Sequence, residues 1–137
     1  MAQRPVKDGY ITSEYGMRIL NGKSEFHPGL DIGSKSDEPI IYCALSGKIV
    51  VSGLSQSFGY RVWVKVNNFY VVYAHMKEIN EQIKPGFFIN EGNPIGIMGD
   101  TGLSFGRHLH YEHRTMPDLT GQHLNPEIIR NLYSPKT

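Results

Sequence analysis

Five residues have the types and spacing that metal-dependent hydrolysis needs. His108 and His110 stand two apart, and side chains two apart on a strand project to the same face, so both imidazoles can reach one site. His27 and Asp31 flank a Pro-Gly turn that can bring their side chains together. His75 follows the β-rich run Phe69 to Ala74, so we expect it at a strand end, where a rigid element fixes its direction.

Two neutral imidazoles and one carboxylate form a zinc site with an open fourth position, the arrangement of hydrolytic rather than structural zinc. Water in that position has its pKa lowered to roughly 7, and a further histidine can move a proton or stabilise an oxyanion. From spacing alone, either His108 or His110 could be the ligand. Each motif also has a simpler interpretation: exposed histidines on an edge strand or at a strand terminus, and an aspartate that caps a turn. The helical zinc motif HExxH is absent from the sequence.

The elements that must position these residues are predicted to be short strands. Fifteen glycines and eight prolines indicate many turns. Strand-like runs are 48–52, 60–66, 69–74, 94–98 and 108–114, with a tight hairpin at Asn67-Asn68. We expect a short C-terminal helix over 126–133, with Asn125 as N-cap and Pro126 in the first helical position. The sequence therefore predicts an all-β, antiparallel domain.

Composition limits the class of protein. With 137 residues, 39% apolar and 20% charged, the chain fits one folded domain, 1–137. The net charge of +1 and the lack of a basic run argue against nucleic acid as a partner. No stretch reaches the ~18 apolar residues of a membrane span, and residues 1–10 carry no signal-peptide pattern, which favours a phage or prophage origin, a different export route or a trimmed chain. The lone cysteine, Cys43, is expected to be a buried apolar residue.

These residues, in this order, closely resemble the M23 family of peptidases, of the lysostaphin and LytM type. The resemblance is carried by Ile11 to Arg18, by His27 to Ile32 as the family's HxGxD stretch, by Tyr73-Ala74-His75-Met76 as its YAHL segment, and by Gly99 to Gly102 with His108 to Glu112 as its GxTG…HLHFE ending. Pro39 to Gly47 resembles the family's intervening strand and turn.

The resemblance implies a β-sandwich-like core (a barrel-sandwich hybrid) with a groove for an extended peptide. It implies that His27, Asp31 and His110 bind one Zn²⁺ and that His75 and His108 are the catalytic pair. It further implies a zinc endopeptidase that cuts the peptide part of bacterial peptidoglycan, at the cell wall, in the periplasm or outside the cell. We expect a monomer. The alternatives are a non-catalytic peptidoglycan-binding or hydrolase-activating module with a structural metal, and a zinc peptidase of secreted proteins.

Further expectations concern residues outside the five proposed site positions. Ser104 to Arg107 departs from the family's Ser-Thr-Gly-Pro, and Arg107 could contact a substrate carboxylate or lie solvated in its loop. Glu112 could orient His110 or be an ordinary surface charge. His113 and His123 are expected at the surface. Four aromatic residues are either groove-lining or core residues: Phe58, Tyr60, Trp63 and Tyr73.

Overall fold

The structure, a computed structural model, describes residues 1–102, 104, 106–118 and 120–134, with residue 20 described by its backbone only. The last three residues of the expected 1–137 domain, and Phe105 of the unusual loop before His108, lie outside the described residues. The elements along the chain are β1 (Gly9–Ser13), β2 (Gly16–Leu20), β3 (Lys23–His27), β4 (Leu30–Ser34), β5 (Ile40–Tyr42), β6 (Gly47–Ser55), β7 (Gly59–Val66), β8 (Phe69–Ile79), β9 (Phe88–Ile89), β10 (Pro94–Met98), β11 (Leu109–Arg114), β12 (His123–Leu124) and α1 (Glu127–Arg130).

The strands form one large antiparallel sheet and one hairpin. The main path of the large sheet runs β1-β4-β11-β8-β7-β6-β9, with β10 joining β5 to β8 and β12 pairing with β11. Strands β2 and β3 form a separate two-stranded hairpin. The predicted antiparallel all-β fold with a short helix is confirmed. The short strands β1 to β5, β9 and β12 were not predicted from the sequence pattern.

The main core lies on one face of the sheet. In β7, Val62 and Val64 are fully buried in it, while Trp63 packs with Val72 and Ala74 in a second cluster on the opposite face. Burial of each such side chain stabilises the fold by ~1.5–3 kcal/mol. The second face of β7 is covered only in part, since Trp63 is buried while Lys65 on the same face is exposed.

The hairpin between β7 and β8 is confirmed, since Val66 pairs with Phe69 across Asn67, whose φ is 54°. The buried position of Cys43 is confirmed too, and burial raises the pKa of its thiol to about 11.

The C-terminal helix is shorter than the sequence predicts. It spans one turn, Pro126 is its N-cap rather than its first helical residue, and no side chain caps it within the described part of the chain. Beyond Arg130 the backbone continues in tight turns, in which Leu132 N–H donates to the Ile129 carbonyl and Tyr133 N–H to the Arg130 carbonyl. The Tyr133 hydroxyl donates to the Val6 carbonyl at 2.9 Å. In the described residues no helix has the length and apolarity that crossing a bilayer requires.

Candidate metal centre and catalytic groove

The centre of the site is the carboxylate of Asp31 on β4. Strand β11 pairs with β4 so that His110 lies directly opposite Asp31, and His110 Nδ1 is 2.9 Å from Asp31 Oδ1. His27, at the end of β3, reaches the other oxygen, with Nε2 3.2 Å from Oδ2. One ligand atom from each of the three residues lies within 4.8 Å of the other two. The structure thus brings together all three predicted metal ligands.

The turn between His27 and Asp31 depends on a glycine. A Cβ on Gly29 would lie 2.4 Å from the Tyr111 carbonyl oxygen and 2.9 Å from Glu112 Cγ. The chain can therefore pass from β3 into β4 against β11 only without a side chain at this position.

His75 and His108 lie beside this centre. The ring centroids of His75 and His108 are 5.1 Å apart, and His108 Nε2 is 3.6 Å from Asp31 Oδ1. His108 itself precedes β11 and forms an isolated bridge with Gly99. A groove of about 620 Å³ is lined by all four histidines, Asp31 and two arginines, Arg18 and Arg107.

The position of His75 differs from the expected strand end. It lies inside β8, which continues to Ile79, and it is a bulge residue, because Tyr60 pairs with Met76 while Val62 pairs with Tyr73. Its φ of 62° is left-handed, which is uncommon outside glycine. A bulge of this kind redirects a side chain, and here it lets His75 face the other histidines.

Backbone carbonyls fix the tautomers of three histidines. His27 Nδ1 donates to the Glu14 carbonyl at 2.9 Å, His75 Nδ1 to the Thr101 carbonyl at 2.6 Å, and His108 Nδ1 to the Gly106 carbonyl at 2.8 Å. Because a carbonyl only accepts, each Nδ1 carries the proton and each Nε2 keeps a free lone pair. Burial also lowers the pKa of His75 below its ordinary value, which favours the neutral form of the ring.

In His110 the two ring nitrogens have the reverse arrangement. Its Nε2 donates to Glu112 Oε2 at 2.6 Å, so Nδ1 is the nitrogen that faces Asp31. Burial by itself would lower the pKa of His110, but the hydrogen bonds to Asp31 and Glu112 outweigh it and raise the pKa to about 9. Burial by itself would raise the pKa of the Asp31 carboxyl, but the neighbouring imidazoles of His110 and His27 outweigh burial and hold it well below its usual range.

The donor chemistry fits a divalent cation. Because the pKa of His110 is raised to about 9, its metal-free ring holds a second proton at neutral pH, on the Nδ1 that faces Asp31. A divalent cation that displaces this proton would lie between two imidazole nitrogens and the carboxylate, and its charge would compensate the buried Asp31. Tetrahedral zinc with bonds of ~2.0–2.1 Å separates its ligand atoms by about 3.3 Å, close to the distances around Asp31. The three residues are therefore a candidate metal site.

The structure also shows the positions of Arg107, His113 and His123. Arg107 donates to the backbone carbonyls of Asp37 and Ser34, so it ties its loop to the segment at the end of β4, while its side chain remains exposed to solvent at the groove edge. The expected surface position is wrong for His113, which is 5% exposed and bonded to the Tyr111 hydroxyl, and His123 is half-buried.

The four aromatic residues lie in different environments. Trp63 and Tyr73 are core residues, and Tyr60 is exposed. Phe58 is half-buried and stacks near His110, with 6.4 Å between the ring centroids.

Sequence and structure comparisons identify the family. The model of peptidase family M23 matches residues 25–126, and the chain belongs to this family. The peptidoglycan DD-endopeptidase ShyC of Vibrio cholerae is 30% identical over 123 residues, which is 87% of this chain and 27% of that protein. The chain therefore spans about a quarter of the length of this curated relative.

Two solved structures combine a similar fold with a sequence identity above 25%. A mutant catalytic domain of the prophage-encoded M23 protein EnpA from Enterococcus faecalis has a TM-score of 0.77 and 30% identity, over 92% of this chain and 95% of that one. The catalytic domain of lysostaphin, the antimicrobial peptidase of Staphylococcus simulans, has a TM-score of 0.75 and 26% identity, over 88% of this chain and 91% of that one.

Proposed function

We propose that residues 1–137 form a single zinc-dependent endopeptidase domain that hydrolyses peptide bonds in the cross-bridges or stem peptides of bacterial peptidoglycan. The observation that carries this proposal is the convergence of His27, Asp31 and His110 on one point beside two further histidines. Membership of the M23 family supports it, as do relatives named as peptidoglycan endopeptidases.

His27 through Nε2, Asp31 through its carboxylate and His110 through Nδ1 would hold the metal. When bound, zinc supplies Lewis acidity, which polarises an amide carbonyl and lowers the pKa of water to roughly 7. Two imidazoles and one carboxylate leave one position of a tetrahedral ion open, as hydrolysis requires.

His75 and His108 are proposed as the catalytic pair. Each has a free Nε2 lone pair because its Nδ1 proton is held by a carbonyl. One ring can take a proton from the attacking water on its Nε2 and give it to the leaving amine as the amide bond breaks. The other ring, protonated from solvent beforehand, can donate to the developing oxyanion. The lowered pKa of His75 suits it to begin the reaction neutral.

The groove suits an extended peptide, with Arg18 and Arg107 on its walls. Both guanidinium groups are held by protein oxygens, Arg18 by Glu25 and Ser13 and Arg107 by two backbone carbonyls. We therefore assign the arginines to shaping the groove. The proposed site of action is the cell wall, periplasm or extracellular space, with the protein as a monomer.

Zinc-loaded protein incubated with purified peptidoglycan tests the proposal. We expect new free amines to appear, and we expect His75→Asn to bind zinc but release them at least ~10²-fold more slowly. Zinc binding without any release of amines would instead indicate a binding or activating module. Cleavage of a generic protein substrate with intact peptidoglycan would indicate a peptidase of secreted proteins.

A further inference from the structure

A row of buried ionisable side chains extends from the candidate metal centre along β11. His110, Glu112 and Arg114 are 9%, 2% and 3% exposed, and their spacing of two residues places them on one face of the strand. The catalytic scheme uses only His110. Burying a carboxylate and a guanidinium is costly unless both are paired, so this row needs an explanation.

The contacts form one chain of hydrogen bonds. Glu112 Oε2 accepts from His110 Nε2 at 2.6 Å, and Glu112 Oε1 accepts from Arg114 Nη1 at 2.7 Å. Arg114 Nη2 donates to the Gly121 carbonyl at 3.1 Å, and its guanidinium lies 5.8 Å from the centroid of the Trp63 ring. Each carboxylate oxygen therefore has its own donor.

The loop that carries two metal ligands also covers Glu112. Gly29 lies between His27 and Asp31 and packs so closely that a Cβ there would stand 2.9 Å from Glu112 Cγ. Glu112 therefore has little room to move, and its hydrogen bond with His110 is enclosed on the side of this loop.

We propose that Glu112, held in place by Arg114, is a positioning residue that fixes His110 in the tautomer and ring orientation that present Nδ1 to the metal. The inference rests on the proposed metal site. His110 differs from the other three histidines, whose Nδ1 atoms are held by carbonyls. Without an acceptor at Nε2, the ring would gain the tautomer in which Nδ1 is protonated and cannot bind a cation. Carboxylates that orient a ligating histidine typically improve metal affinity by ~10–100-fold.

The test measures zinc affinity by competition with a chromogenic chelator for the wild type, Glu112→Gln and Glu112→Ala, each checked for folding by circular dichroism. We expect Glu112→Ala to lose ~10–100-fold in affinity. We expect a smaller loss for Glu112→Gln, whose amide oxygen can still accept from His110 Nε2. The matched control is Glu91→Gln, because Glu91 bonds Ser46 and the N-terminus rather than a histidine, and its affinity should equal that of the wild type.

A second readout needs no variant and so does not depend on mutant folding. Nitrogen-15 NMR of the zinc-loaded wild type should show His110 with its proton on Nε2 and zinc on Nδ1. Equal zinc affinity in all Glu112 variants, or a His110 proton on Nδ1, would overturn the positioning role while leaving the metal site intact. A wild type that binds no zinc would instead overturn the proposed function, and this inference with it.

Discussion

Asp31 and His110 are 79 residues apart in sequence but directly opposite each other in the β4–β11 pair, with 2.9 Å between Oδ1 and Nδ1. The second oxygen of Asp31 faces His27. One carboxylate therefore serves both histidines, and the sheet register sets the geometry of the centre. A shift of one residue in this pair would turn His110 to the other face of the sheet.

Replacing Asp31 by Asn should abolish metal binding, because the amide keeps the shape but removes the charge that two imidazole lone pairs face. We expect Asp31→Asn and His110→Ala to contain little zinc after dialysis and to release no amines from peptidoglycan. Elemental analysis of the dialysed protein measures the first effect. Asp118→Asn is the matched control, since Asp118 is exposed and its side chain bonds only Thr120 among the described residues. A full complement of zinc in Asp31→Asn would contradict the ligand assignment.

Replacing His75 separates catalysis from metal binding. His75→Asn keeps a residue type that tolerates the left-handed φ of 62° but removes the imidazole, so we expect normal zinc content and turnover lower by ~10² or more. His75→Ala should lose the same activity and be less stable than His75→Asn, because asparagine tolerates the left-handed region better than alanine. Comparable turnover for His75→Asn and the wild type would exclude His75 from proton transfer.

His108→Ala should behave like His75→Asn, with zinc retained and turnover reduced by a similar factor. Its Nε2 is 3.6 Å from Asp31 Oδ1, so His108 lies beside the proposed metal ligands and is not itself one of them. Loss of zinc in His108→Ala with retention in His110→Ala would reverse the roles of these two residues.

The turn before β7 supports His75 through close backbone contact. A Cβ on Gly59, whose φ is +67°, would stand 2.3 Å from Thr101 Oγ1, and the Thr101 carbonyl holds His75. We expect Gly59→Ala to lower both the free energy of unfolding and turnover. Gly86→Ala is the control: its φ is +98° but a Cβ there meets nothing within 4 Å, so it carries the backbone strain alone.

Denaturant unfolding of these two variants should show Gly59→Ala less stable than Gly86→Ala by ~1–3 kcal/mol, the usual cost of overpacking. Equal losses of stability, with normal turnover in both variants, would mean that the turn around Gly59 does not constrain the site.

Stability should fall in mild acid because of His113. Burial lowers the pKa of His113 to about 4, below its ordinary value of 6.5, so between these pH values the unfolded chain takes up a proton that the folded chain does not. The contribution of neutral His113 to the free energy of unfolding is complete above pH 6.5. It is lost as the pH falls towards 4, by about 3 kcal/mol in total. His113→Gln, whose amide can still bond the Tyr111 hydroxyl, should show a shallower decline in the free energy of unfolding over this range. Parallel curves for the two proteins would contradict this assignment.

The sequence predicts several strands because they depend on local patterns, although β6 and β8 extend beyond their predicted ends. Strands β7 and β10 and the Asn67-Asn68 hairpin follow from alternation and turn residues, and the residues proposed for the site are grouped by their types and spacing. Which of His108 and His110 faces Asp31 is not a local property. It depends on the register of β11 against β4, and only the family resemblance indicated it.

Other features could not be predicted, because they arise from packing between distant segments. The bulge at His75 is set by pairing with β7, and the carbonyl of Thr101 that holds the ring comes from another loop. His113 and Glu112 look like surface residues of an alternating strand, but β11 is covered on both faces. The residue type and its local spacing do not indicate that such a side chain is buried, because its burial depends on segments that are distant in sequence.

The most direct test of the central claim is the dependence of peptidoglycan hydrolysis on bound metal. Protein stripped with a chelator and dialysed should release no free amines from purified walls, and the rate should rise with added zinc and level off at one ion per chain. Stripped protein that digests the walls as fast as zinc-loaded protein would contradict the account.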